Sequence, residues 1–130
     1  METPRNLKYT MSHEWVRFDG KTATIGITDF AQDQLSDLTY IELPTVGDEV
    51  GASDQIAVVE SVKAASDVYA PIGGTITAVN KALQDKPELI NTEPYTDGWI
   101  CKIQPDDPSE LESLLDADSY NSLQPDDENG

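Results

Sequence analysis

The chain has 130 residues, 38% of them apolar, which is enough for one domain with a modest hydrophobic core. It carries 25 acidic residues against eight Lys and Arg, and the formal net charge of −17 argues against nucleic acid or anionic lipid as a partner. No stretch approaches the ~20 apolar residues of a membrane span, and the N-terminus has no export or import signal. We therefore expect a cytoplasmic protein that does not contact membranes.

The first predicted elements are a hairpin and a helix. Residues 16–18 and Thr22–Ile27 are strand-like, and the turn Asp19-Gly20 between them is typical of a β-hairpin. Thr28 can then cap the N-terminus of a short helix that continues through Leu35.

The middle of the chain is predicted to be mostly strands. Val46–Val50 is predicted as a turn that enters a strand, and residues 80–98 as an irregular segment with one short helical turn. The predicted strands are Tyr40–Leu43, Gln55–Val59, Asp67–Ala70, Gly74–Val79 and Trp99–Ile103.

The C-terminal part is predicted to be helical. Asp107 is placed as an N-cap, with Pro108 at the first helical position and Glu110 at the third, as in a capping box. A second helix is predicted from Asp116 to Leu123. We expect one domain over residues 1–123 and a disordered acidic tail over residues 124–130.

Cysteine and histidine are too scarce to indicate a catalytic or metal-binding site. Cys101 is the single cysteine, so no internal disulfide can form, and its strand-like surroundings predict a buried structural thiol. His13 is the single histidine, which leaves little material for a catalytic pair. We therefore expect no metal site, and the sequence gives no sign of a catalytic pair that uses His or Cys.

Lys63 has unusual neighbours for a surface lysine. It lies between two strand-like runs, where a hairpin tip normally contains Gly, Asn or Asp. Here the tip is Val-Lys-Ala-Ala, so small and apolar residues surround one long amine. A solvated surface lysine and a lysine with a special role both fit this pattern.

The segment Glu60–Pro71 is similar to the modification site of glycine cleavage H-proteins, a family of lipoyl carriers. The similarity extends in the family's order over residues from about 7 to 123. The other segments that resemble the family are Tyr9, Ser12–Trp15, Ala23–Asp29, Ile41–Pro44, Leu89–Asn91, Pro94–Tyr95, Asp97–Trp99 and Glu110–Leu115.

The resemblance implies a mainly β fold, a barrel-sandwich hybrid of two small antiparallel sheets with short peripheral helices. It implies that lipoic acid is attached to the amine of Lys63, and that Glu60 and Gly74 take part in recognition by the lipoate-attaching enzyme. We expect a bulky residue at Gly74 to slow attachment more than it lowers stability.

The resemblance also implies a cleft that shelters the loaded arm from water. Its positions are Ser12, Glu14, Gln34 and Asp67, and Gln34 departs from the histidine that some family members carry. From the residues alone, Ser12 fits a loop cap and Glu14 a solvated strand edge equally well.

The resemblance implies a carrier that is not itself an enzyme and that takes the aminomethyl group of glycine from one enzyme to the next. The implied partners are a pyridoxal-phosphate glycine decarboxylase, a tetrahydrofolate-dependent aminomethyltransferase, a dihydrolipoamide dehydrogenase that uses FAD and NAD, and the lipoate-attaching enzyme. We expect a monomer.

Several alternatives are compatible with a lysine at a hairpin tip. Biotin carriers place their lysine between two methionines, whereas Val62 and Ala64 flank Lys63. Lipoyl domains of 2-oxoacid dehydrogenase complexes typically have Asp-Lys-Ala and belong to longer chains. Transfer of the lipoyl group to other lipoate-dependent enzymes, and an unmodified H-like binding module, also stay open.

Overall fold

The structure, a computed structural model, describes residues 3–123. The predicted acidic tail, residues 124–130, lies outside the described residues. The strands are β1 (Lys8–Tyr9), β2 (Glu14–Phe18), β3 (Ala23–Ile27), β4 (Leu38–Glu42), β5 (Glu49–Val50), β6 (Gln55–Ser61), β7 (Ala65–Tyr69), β8 (Gly74–Val79) and β9 (Cys101–Pro105). The α-helices are α1 (Asp29–Leu35), α2 (Ala82–Asp85), α3 (Leu89–Thr92) and α4 (Ala117–Ser122), and Pro108–Ser113 forms a 3₁₀ helix.

The strands form two antiparallel sheets. The larger sheet has the order β1-β2-β3-β9-β8-β5, and the smaller has the order β4-β6-β7. The expected mainly β architecture with two small antiparallel sheets and short helices is confirmed. In the smaller sheet β7 pairs only with β6, so it is an edge strand.

The predicted β2–β3 hairpin and the helix after it are confirmed. Phe18 pairs with Ala23, and the turn between them contains Gly20 at φ 98°, a left-handed conformation that glycine adopts without steric cost. The hydroxyl of Thr28 then accepts a hydrogen bond from the N–H of Ala31 at 3.2 Å and so caps α1.

Three predicted elements differ in the middle of the chain. The segment Val46–Val50 contains β5, which pairs with β8 rather than leading directly into β6. Residues 80–98 contain two short helices, α2 and α3, instead of one helical turn. The last strand begins at Cys101 rather than Trp99, because the N–H of Trp99 turns back to the carbonyl of Thr96 at 3.2 Å.

The C-terminal helices are confirmed in position, but the first differs in type. Asp107 caps it as predicted, accepting from the N–H of Ser109 at 3.1 Å, yet the helix is 3₁₀. The predicted capping box does not form, because the carboxylate of Glu110 accepts from the N–H of Gly73 at 2.9 Å instead. This contact joins the 3₁₀ helix to the segment before β8.

The buried residues form two clusters. The larger consists of aliphatic side chains between the two sheets and includes Cys101, which is fully buried as predicted. Burial raises the pKa of the Cys101 thiol to about 12, so this thiol is not reactive. The smaller cluster is mostly aromatic and packs α4 against β1 and β2; it contains Leu7, Tyr9, Trp15, Tyr95, Ala117 and Tyr120.

Gly74 lies where β8 packs most closely against β9, and its replacement should weaken the fold. A Cβ at this position would overlap the carbonyl oxygen of Gln104 and lie 2.7 Å from Cγ2 of Ile103. We expect Gly74→Ala to lower the free energy of unfolding by about 1–3 kcal/mol, as overpacking in a core does. Urea denaturation of the unmodified protein measures this difference.

Gly51→Ala is the matched control for that prediction. The nearest atom to a Cβ at Gly51 is a carboxylate oxygen of Asp54 at 3.6 Å, an ordinary contact distance. We expect this variant to be as stable as the wild type. Equal stability of the two variants would contradict the steric argument.

Candidate functional site

The hairpin of β6 and β7 presents Lys63 at its tip. Glu60 pairs with Ala65, so the tip consists of the residues between them. The N–H of Ser61 donates to the carbonyl of Ala64 at 2.7 Å, and its hydroxyl accepts from the N–H groups of Lys63 and Ala64 at 3.1 and 3.0 Å. Ser61 therefore closes the turn that the sequence leaves without an Asn-Gly signal.

The side chain of Lys63 extends from this closed turn into solvent. Lys63 is exposed and, within residues 3–123, takes part in no ion pair. Val62 beside it is 73% exposed, although its N–H is held by the carbonyl of Asp37 at 3.3 Å. The turn is thus ordered by its backbone while the amine stays accessible to another protein.

A cleft of about 300 Å³ opens beside β7, between α1 and the turn that precedes β2. Its polar lining contains the four residues that the resemblance implies, Ser12, Glu14, Gln34 and Asp67. Its apolar lining comes from α1 and the two sheets, with Ile27, Phe30, Ala31, Leu35, Val59 and Val68. Residues that are far apart in the sequence therefore meet in one cavity.

Glu14 is buried and is not a solvated strand edge. One carboxylate oxygen accepts from the hydroxyls of Thr10 and Ser12, both at 2.5 Å, and the other accepts from the N–H of Tyr69 at 3.0 Å. Burial raises the pKa of Glu14, and the hydrogen bonds from Ser12, Thr10 and Tyr69 act in the opposite direction. The carboxylate connects β2 in the larger sheet to β7 in the smaller one.

Asp67 is the more available carboxylate of the cleft. It is exposed and pairs with Val58 across the sheet. Its one described hydrogen bond, from the hydroxyl of Tyr69, is long at 3.4 Å. Proximity to Asp67 is the largest of the effects that raise the pKa of Tyr69.

The other predicted positions lie in different places. Gln34 lines the cleft from α1 and is exposed. Glu60 is exposed on β6 near the hairpin tip and does not line the cleft. Gly74 belongs to the larger sheet, whereas Lys63 is at the end of the smaller one. Because a Cβ at Gly74 would overlap the backbone of β9, we expect a bulky residue there to lower stability as well as to slow attachment; which effect is larger stays a prediction.

The cleft also contains His13, which the sequence does not identify as a site residue. His13 adopts φ 75°, a left-handed conformation that few residues other than glycine adopt. Its ring lies 4.9 Å from the ring of Phe30, and its Nδ1 is 2.8 Å from the hydroxyl of Tyr120. No local pattern could reveal this pair, because 107 residues separate its members.

The described part of the chain has neither a metal-binding cluster nor a membrane-spanning helix. Residues 3–123 contain no group of three or more His, Cys, Asp or Glu side chains that could hold a metal ion. In the same range, no helix has the length and apolar character required to cross a membrane.

Comparisons with known proteins agree with one another. The family model described as glycine cleavage H-protein matches residues 7–127. The chain is 58% identical over 118 residues to the glycine cleavage system H protein of Psychrobacter sp. (strain PRwf-1), covering 90% of this chain and 94% of that one. It is 56% identical over 128 residues to that of Alkalilimnicola ehrlichii, covering 98% of both chains.

A solved structure gives the same result for the fold. The crystal structure of a glycine cleavage system H protein from Mycobacterium marinum superposes with a TM-score of 0.84 and has 38% sequence identity. The match covers 92% of this chain and 96% of that one.

The raised pKa of Glu14 predicts a specific dependence of stability on pH. Below the ordinary value of 4.5 Glu14 is protonated in the folded and unfolded states, so it adds no dependence there. As the pH rises from 4.5 through the raised folded value, the folded state holds its proton longer than the unfolded state and loses stability. In Glu14→Gln this loss of stability should be absent, because Gln does not ionise. The hydrogen bonds can be kept, because the Ser12 and Thr10 hydroxyls can rotate to accept from the amide of Gln.

The measurement is the free energy of unfolding in urea, from about pH 4 to about pH 8, for both proteins. The stability of Glu14→Gln relative to the wild type should increase across the window above 4.5. A constant difference would show that burial does not perturb this carboxyl group.

Proposed function

This chain belongs to the glycine cleavage H-protein family, and from that premise we propose that it carries lipoic acid on Lys63 and shuttles the aminomethyl group of glycine between enzymes. The observation that supports the proposal most is the pairing of an accessible lysine at a closed hairpin tip with a cleft on the same hairpin. Members of this family are carrier proteins, so the chemistry of the reaction belongs to their partners and to the attached cofactor.

The residues around Lys63 fit the attachment of a carboxylic acid to the lysine amine. The amine is exposed, and its neighbours Val62 and Ala64 are small enough to let an enzyme approach. Ser61 holds the turn in one conformation, so the attaching enzyme meets an ordered backbone. When attached, lipoic acid would supply a disulfide that is reduced as one sulfur takes the aminomethyl group, and the dithiol left after transfer would be reoxidised by a partner enzyme.

Asp67 is the carboxylate that we assign to the cationic amine of the aminomethyl group. It is four residues from Lys63, hence at most about 13 Å along the chain, and lines the cleft. Glu14 has both carboxylate oxygens engaged by three donors, so we assign it to holding Ser12 and the backbone of β7 in place. Gln34 contributes an amide at the rim, which can donate and accept hydrogen bonds.

The apolar part of the cleft is suited to keeping water away from the docked group. Phe30 and Leu35 from α1 face Val59 and Val68 from the smaller sheet across the cavity. Because hydrolysis of the cargo needs water at the reacting carbon, a cavity with these walls slows it.

Two further residues are assigned to recognition by the lipoate-attaching enzyme. Glu60 is exposed near the end of β6, three residues before Lys63, where an approaching enzyme can contact it. For Gly74 we retain a role in recognition, but its packing against Gln104 and Ile103 is enough to require glycine.

The partners that we propose are the pyridoxal-phosphate glycine decarboxylase, the tetrahydrofolate-dependent aminomethyltransferase and the dihydrolipoamide dehydrogenase that uses FAD and NAD. The net charge of −17 suits encounters with basic surfaces on these enzymes, since opposite charge speeds association.

Lys63 should be the sole site of lipoylation. Peptide mapping by mass spectrometry of protein from lipoate-fed cells should find one lipoyl amide, on Lys63. Lys63→Arg keeps the positive charge but lacks the amine that is acylated, so it should fold and carry no lipoyl group. Lys81→Arg, at another exposed lysine, is the control and should be modified as the wild type is. A lipoyl amide on Lys81, Lys86 or Lys102 would contradict the proposal.

Asp67→Asn should speed loss of the aminomethyl group to water without changing lipoylation. Asn keeps the size of the side chain and removes the charge that pairs with the cargo amine. Because Asp67 is exposed, we expect an increase of about threefold to tenfold, less than the more than tenfold that a charge-assisted hydrogen bond sheltered from water would give. The measurement is release of formaldehyde or ammonia from the loaded carrier with no transferase present.

Asp33→Asn is the matched control, since Asp33 is an exposed carboxylate of α1 that does not line the cleft. It should release the group at the wild-type rate. If both variants behave as the wild type, the cleft shields its cargo by apolar packing alone.

A further inference from the structure

A chain of hydrogen bonds connects the C-terminal helix to the wall of the cleft. The hydroxyl of Tyr120, in α4, lies 2.8 Å from Nδ1 of His13 and 2.7 Å from the hydroxyl of Thr28. The hydroxyl of Thr28 in turn accepts from the N–H of Ala31 and caps α1. Thr28 and Tyr120 are almost completely buried, so water does not substitute for these contacts.

These contacts join two elements that line the cleft. His13 lines it from the turn before β2, and α1 lines it with Phe30 and Ala31; the rings of His13 and Phe30 lie beside each other, with centroids 4.9 Å apart. The carbonyl of His13 also accepts from the N–H of Thr28 at 3.0 Å. Tyr120 itself does not line the cleft. The ring of Tyr120 stacks on the ring of Tyr9, with centroids 4.8 Å apart and an angle of 16° between the planes.

We propose that Tyr120 is a positioning residue whose hydroxyl holds His13 and the start of α1 at the spacing that the cleft requires, so that the C-terminal helix controls how well the docked group is shielded. This inference rests on the proposed function for its consequence, but the contact itself does not need the cofactor. It assigns a role in the carrier cycle to a helix that contributes no residue to the cleft.

The hydrogen bonds of the three side chains are all satisfied when the imidazole is neutral, with its proton on Nε2 and Nδ1 as an acceptor. If Nδ1 accepts from Tyr120, then Tyr120 accepts from Thr28, Thr28 accepts from Ala31, and every donor is used. If Nδ1 carried a proton, Tyr120 would donate to Thr28, and the buried Thr28 hydroxyl would need another acceptor. Burial also lowers the pKa of His13, which favours the same neutral form. The titratable groups around the ring are Glu14 on β2, Asp67 on β7, Tyr120 on α4 and Asp29 at the start of α1.

Tyr120→Phe tests the contact in the unmodified protein. It removes the hydroxyl and keeps a ring that can stack on Tyr9. His13 is the only histidine in the chain, so its imidazole signals in the NMR spectrum of tag-free protein are unambiguous. We expect the pKa of His13 in Tyr120→Phe to be higher than in the wild type, because the neutral ring loses its donor. An unchanged pKa would overturn the proposal.

The same variant tests the consequence for the cleft in the loaded carrier. Loss of one neutral hydrogen bond corresponds to a factor of about three to ten, so release of the aminomethyl group should be faster by about that factor at unchanged lipoylation. Tyr9→Phe is the matched control, since it removes a buried tyrosine hydroxyl that donates to the carbonyl of Pro4 and leaves His13 untouched. Its release rate and its His13 titration should be those of the wild type.

The outcomes separate this inference from the proposed function. Wild-type protein that is not lipoylated or cannot be loaded would contradict the proposed function, and the NMR titration would still decide the contact. Equal release from Tyr120→Phe and the wild type would overturn the role of α4 in shielding while the carrier function stands. Faster release from both Tyr120→Phe and Tyr9→Phe would also overturn it, by showing a general loss of packing in the aromatic cluster.

Discussion

The buried carboxylate of Glu14 is the interaction on which the geometry of this protein depends. The two sheets share no strand, so they are joined by packing and by side chains that cross between them. The side chain of Glu14 extends from β2 in the larger sheet and accepts a hydrogen bond from the backbone N–H of Tyr69. Tyr69 is the last residue of β7, the strand that follows Lys63. Because the same carboxylate also holds Ser12 and Thr10, it sets the position of the cleft wall and of the hairpin together. The Glu14 carboxylate fixes the position of one sheet relative to the other. Moving either sheet would leave this buried carboxylate without some of its three hydrogen-bond donors.

Local patterns in the sequence predict the elements whose causes are local. The turn at Gly20, the cap at Thr28 and the cap at Asp107 depend on residues within a few positions of one another. The position of Lys63 and the residues of the cleft came from the resemblance, since spacing alone does not indicate that they meet. The capping box predicted at Asp107 does not form because Glu110 has a distant partner, the N–H of Gly73.

Contacts between residues that are far apart along the chain could not be predicted from the sequence. The turn that Ser61 closes is local, by contrast, and could have been recognised from the preference of serine for such positions. Tyr120 gives no such signal, because its partners His13 and Thr28 lie at the other end of the chain.

The acidic character of the chain has a structural component besides its effect on partners. Asp19 and Asp116 accept backbone N–H groups that would otherwise lack partners, and Asp107 does so together with a serine hydroxyl. These hydrogen bonds hold the pKa of each of the three carboxyl groups below its usual range. Arg5 and Asp118 form the single salt bridge within residues 3–123, so the described fold is held by apolar packing and hydrogen bonds rather than by ion pairs.

The position of β7 at the edge of its sheet has a consequence for the behaviour of the protein in concentrated solution. An edge strand exposes backbone groups on one side, and a second chain can add to it as a further strand and begin to aggregate. Under the proposed function, partner enzymes reach the tip of this hairpin, so the strand stays uncovered there. Ser66 and Asp67 are exposed on that strand, and a charged residue there disfavours the addition of an identical strand with the same charge. Asp67 thereby keeps an accessible edge from becoming a site of self-association.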